Sequence, residues 1–102
     1  MIKHIVMWKL KEVAEGKTKA ENAKIIKKLL EDLPNKIEEL DTAEVGINIL
    51  EGESEAFSDV VLTTTFKNQD DLNAYAIHPD HKKVVSFIMK VVTERRVADY
   101  NL

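Results

Sequence analysis

Alternating side chains open the chain. From Ile2 to Leu10, Ile2, His4, Val6, Trp8 and Leu10 point one way, and Lys3, Ile5, Met7 and Lys9 point the other. That period of two predicts a β-strand. Both sets contain apolar residues, so both faces of the strand are expected to be covered. Glu15-Gly16 marks a turn, and Thr18-Lys19-Ala20-Glu21 has the form of a capping box. In that motif the Thr hydroxyl takes one free backbone N–H while the Glu reaches back to another. Ala23, Ile26, Leu30 and Leu33 follow at helical spacing, with Lys19, Lys27, Lys28 and Glu31 largely on the other side. Pro34 ends the helix, because proline disfavours the helical conformation of the residue before it.

Ile37 to Leu40 fits a short turn, and from Ala43 the period returns to two. Ala43, Val45, Ile47 and Ile49 alternate with Glu44, Gly46, Asn48 and Leu50, which predicts a second strand. Glu51 to Ser58 is acidic and reads as an exposed hairpin loop; Val60 to Phe66, rich in β-branched residues, is the next strand. Asn68 caps a short helix through Leu72 and Tyr75, His78-Pro79 breaks it, and Pro79 opens a last helix through Val84, Val85, Phe87, Ile88 and Val91. Arg96 to Leu102 is the closing strand.

The predicted order is β-α-β-β-α(α)-β, an α+β protomer of ferredoxin-like βαββαβ type spanning residues 1–102 as one domain. Helices cover one face of its sheet. The other is expected to meet a second copy of the same sheet, giving a homodimeric α/β barrel. His4, Val6 and Trp8 are assigned to the interior of that barrel.

Composition narrows the function. The formal net charge is -3, with Lys and Arg interspersed among the acids, so no basic stripe tracks phosphates and nucleic acid is not an expected partner. The absence of cysteine excludes disulfides, thiolate metal sites and thiol catalysis. No apolar run approaches a membrane span and the first residues do not form a signal peptide, so no membrane partner and a cytoplasmic location are expected.

Candidate chemistry concentrates in two places. His4 reads either as a hydrogen-bonded core histidine or as a polar group orienting a ligand in an apolar cavity. Tyr75-Ala76-Ile77-His78-Pro79-Asp80-His81 is the densest run of functional side chains. His81 falls in the first turn of the last helix, where the helix dipole favours a neutral imidazole able to act as a base. Tyr75 can donate its hydroxyl, and Asp99 on the closing strand is placed to orient an imidazole. In the plainer reading His78 and His81 cap the helix and Tyr75 packs; spacing alone favours it. His78 and His81 at i, i+3 also share a possible metal-ligand face, but no complete ligand set is legible and no metal is expected.

The opening strand, the Tyr75-to-His81 run with Val84, Val45-Gly46-Ile47-Asn48 and the closing Ala98-Asp99-Tyr100 together resemble the stress-responsive dimeric α/β-barrel (Dabb) domain family. The resemblance covers nearly the whole chain, and its His-Pro-x-His motif is fairly specific. It implies a dimer of face-to-face sheets with one cavity per protomer. A plant polyketide cyclase of this family closes a ring by aldol-type chemistry without a cofactor, which implies Tyr75 and His81 as catalytic residues here, Asp99 orienting His81, and no cofactor. His4, Val6, Trp8, Val60 and Leu62 would line the small-molecule pocket. Two positions depart from that cyclase: Val60 stands in place of a further pocket histidine, and Trp8 in place of a smaller aliphatic residue that would leave more room. Alternatives are a non-catalytic stress-response or assembly protein, and a cofactor-free oxygenase of the same barrel architecture.

Overall fold

Nine alternating residues make Ile2–Leu10 (β1) the hub of the sheet in the computed structural model, which describes residues 1–102. The turn at Glu15-Gly16 is tighter than a plain loop. Glu15 and Gly16 adopt φ of 52° and 73°, which joins Val13–Ala14 (β2) and Lys17–Thr18 (β3) in a two-residue hairpin absent from the sequence reading. The capping box forms as expected and opens Lys19–Glu31 (α1). Pro34 lies in a single 3-10 turn, Leu33–Asn35.

Thr42–Ile47 (β4) is shorter than the alternation suggested. Asn48 ends it: its backbone N–H donates to the Asp59 carbonyl, its side-chain amide donates to the Ser58 carbonyl, and its side-chain oxygen accepts from the Leu50 N–H. Val60–Phe66 (β5) follows the loop. Gln69–Ile77 (α2) is capped by Asn68, and Pro79–Val91 (α3) by His78, whose Nδ1 accepts from the Asp80 N–H at 3.1 Å. The last strand, Val92–Asn101 (β6), starts four residues earlier than expected, because α3 runs into it without a loop.

The order β4-β5-β1-β6, antiparallel throughout, is the ferredoxin-like arrangement. The apolar core lies between this sheet and the helices, where Val6, Trp8, Val45, Val60, Leu62 and Phe66 meet Ile26, Leu30, Tyr75, Val84 and Ile88. This corrects the assignment of His4, Val6 and Trp8 to the barrel interior: they belong to the helix-covered face. The bare face carries Ile5, Met7, Val61, Thr63, Ala98 and Tyr100, framed by Lys3, Lys9 and Arg96. Period two separates the sets but does not label them; the helices do. No helix is long and apolar enough to cross a membrane.

Candidate functional site

Between α3 and the sheet lies a cavity of about 390 Å³, within the range of small-ligand sites. Its floor is His4, Val6 and Trp8 of β1 with Leu62 of β5. The helices add Leu30, Leu72, Val85, Ile88 and Met89, and β6 adds Arg95. Strand alternation aims the β1 side chains into it, while α2 and α3, meeting at His78-Pro79, bring Tyr75 and His81 together.

The two rings lie 4.1 Å apart between centroids, and Tyr75 also meets the edge of the His4 ring at 6.4 Å. Tyr75 is fully buried against Phe66, yet its hydroxyl has no hydrogen-bond partner. A buried phenol is normally paired, so this unpartnered hydroxyl, on a residue that lines the cavity, stands out from the rest of the core. Burial pushes its pKa far up, an effect Arg95 opposes, so it stays protonated and can donate.

Burial also holds His81 below the usual histidine range, against a backbone hydrogen bond that raises it; the charges of His4, Arg95 and His78 lower it further. That partner is the Ala76 carbonyl, 3.3 Å from Nδ1. With Nδ1–H donated there, Nε2 carries the free lone pair that a base requires. The expectation that Asp99 orients His81 is not met. Register places Asp99 opposite His4, and the Asp99 carboxylate binds His4 Nδ1. His4 is 12% exposed and Asp99 45%, so this polar pair sits at the solvent edge of the cavity.

Val60, expected in the wall, does not line the cavity; its short side chain is fully buried in the core opposite Trp8 and Ile47. Val6, Trp8 and Leu62 do line it, and Trp8 forms part of the wall without filling the space. Arg95 is the polar wall residue the sequence reading missed. Its register opposite Trp8 was the only available signal, and that needed β6 to begin before Arg96. His78 serves as a cap, and no three His, Cys, Asp or Glu side chains converge on a common metal position. A second cleft of about 430 Å³ beside Lys9 and Glu53 is polar, and its Asp59 carboxylate is already engaged by the Leu10 N–H and the Lys19 ammonium.

A sequence profile for the stress-responsive A/B barrel domain (Dabb) matches residues 2–102. A dimeric protein of ferredoxin-like fold from Bacteroides fragilis is 30% identical, with 99% of this chain and 95% of that chain covered and a TM-score of 0.80. A dimeric ferredoxin-like protein from Thermobifida fusca is 23% identical over 99% and 90% of the two chains, TM-score 0.79. A hydroxynitrile lyase from Passiflora edulis shares the fold at 15% identity over 97% and 90%, TM-score 0.79. No curated protein matches the chain in sequence.

Proposed function

The chain belongs to the stress-responsive A/B barrel domain family, and from that premise we propose that it is a homodimer whose helix-side pockets bind a small apolar molecule and act on it by cofactor-free acid/base chemistry. The observation that carries this reading is the unpartnered, buried Tyr75 hydroxyl beside a His81 imidazole kept neutral by burial, both on the wall of an apolar cavity. Most buried hydroxyls in folded proteins are paired; the other unpartnered buried atom here, Asn22 Oδ1, lies away from the cavity, whereas Tyr75 lines it beside His81.

In the proposed mechanism His81 Nε2 takes a proton from an acidic position of the bound molecule. The Tyr75 hydroxyl donates a hydrogen bond to the oxygen on which negative charge then develops. The largely apolar walls lower the local dielectric and so strengthen both interactions. His4, held by Asp99, offers a second polar contact at the other side of Tyr75. A lyase shares this fold, but fold does not choose among chemistries; the paired donor and base make the case here. The homodimer rests on the bare apolar sheet face and on the dimeric relatives.

The test is a thermal-shift screen of small apolar acids, phenols and carbonyl compounds. We expect several to raise the melting temperature of the unaltered protein. Tyr75→Phe and His81→Ala should fold to within about 1 kcal/mol of it and lose those shifts. A large loss of stability in His81→Ala, together with a screen that finds nothing, would leave the cluster a structural one.

A further inference from the structure

Three polar groups on the cavity wall have partners or roles already described: His4 with Asp99, His81 with the Ala76 carbonyl, and Tyr75 as the proposed donor. The fourth is Arg95. It lies opposite Trp8 in the β1–β6 register, on the helix-covered side, and although it is an exposed residue of β6 its side chain lines the cavity, at the solvent edge of the wall. It enters none of the salt bridges in the protein, and no protein group accepts a hydrogen bond from its guanidinium. Tyr75 and His81 both feel its charge. An unpaired guanidinium presents five donors in a planar fork that suits an oxyanion, and it is the one wall residue that carries a permanent positive charge.

We infer that Arg95 is the anion anchor of this pocket, and that its ligands are small apolar molecules carrying one oxyanion, a carboxylate or phenolate. The inference rests on the binding role proposed above and names the ligand class. Arg95 faces Trp8, while the His4–Asp99 pair marks a position four residues along β1. At the rise of a strand, these are about 13 Å apart. An anion held at the Arg95 end leaves its apolar body against Trp8, Leu62 and Ile88. The far end of the molecule then comes under Tyr75 and His81. Arg95 thus orients the ligand, and the tyrosine and histidine act on the part that the anchor presents to them.

Calorimetric titration with benzoate and phenylacetate, each beside its neutral amide, tests this directly. In the unaltered protein the acids should bind more tightly than the amides. Arg95→Gln should weaken the acids by roughly 10- to 100-fold, the worth of a charge-assisted hydrogen-bonded pair, and leave the amides unchanged. Arg95→Lys should restore part of the difference, because it keeps the charge without the fork. Acids and amides binding equally well, or a preference for acids that survives Arg95→Gln, would overturn the anchor while leaving the pocket as a binding site. If neither acids nor amides bind, the binding role itself fails, and the anchor with it.

Discussion

Val6 and Met7 are consecutive apolar residues in the middle of one strand, yet in the protomer 1% of Val6 is exposed and 40% of Met7. Val6 lies beneath the helices, on the floor of the cavity. Met7 looks the other way, between Val61 and Arg96 and next to Ile5 and Ala98, on the face the helices leave bare. Similar side chains thus serve different ends: one face encloses a pocket, and the other supplies a surface of the kind a second copy would cover.

The largest expected effect separates the two faces directly. Val6→Asp places an unpaired carboxylate in the core and should cost about 4 kcal/mol or more in urea unfolding. Met7→Asp should leave far-ultraviolet circular dichroism unchanged, while sedimentation shows the mass falling to that of a single 11.6 kDa chain. Equal damage to folding from both changes would erase the distinction between the faces.

Within the helix-side face, Tyr75 divides into ring and hydroxyl. Tyr75→Ala removes a fully buried aromatic and should cost about 3–5 kcal/mol. Tyr75→Phe removes only an orphaned hydroxyl and should change stability by less than about 1 kcal/mol. A loss in Tyr75→Phe as large as in Tyr75→Ala would mean that the hydroxyl holds the core together.

Acidification should weaken the helix-side face in a way set by His81. Its folded pKa is depressed, so in the window just below the ordinary histidine value of about 6.5 the unfolded chain binds more protons than the folded one. Stability therefore falls as pH drops through that window, and is unaffected by His81 above it. Urea unfolding at pH 7.5 and pH 5.5, compared between the unaltered protein and His81→Gln, should show a smaller fall in the variant. The smallest effect belongs to the edge of the cavity. Because Asp99 is substantially exposed, Asp99→Asn should cost under about 1 kcal/mol.

Much of this architecture was legible in the sequence, for local reasons. The Thr18–Glu21 box, Pro34, the Asn68 cap and the His78-Pro79 break depend on neighbours within a few residues, so pattern alone finds them. The dense run from Tyr75 to His81 was legible in the same way, and Tyr75 and His81 do meet. What depended on register was not. Asp99 pairs with His4 rather than His81, and Arg95 enters the cavity, because β6 lies antiparallel to β1 from Val92 onward. A sequence cannot display that offset before both strand ends are known. The two faces of β1 were exchanged for a related reason: where both carry apolar residues, only the helices decide which is inside.

The division between a ligand-holding face and an assembly face can be read in one methyl-resolved NMR titration with benzoate. Saturable shifts should appear at Leu62, Leu72, Val85 and Ile88, around the cavity, while Ile5, Met7 and Val61 on the bare face stay where they were. Saturable shifts centred on Ile5, Met7 and Val61, with the cavity methyls unmoved, would contradict the account.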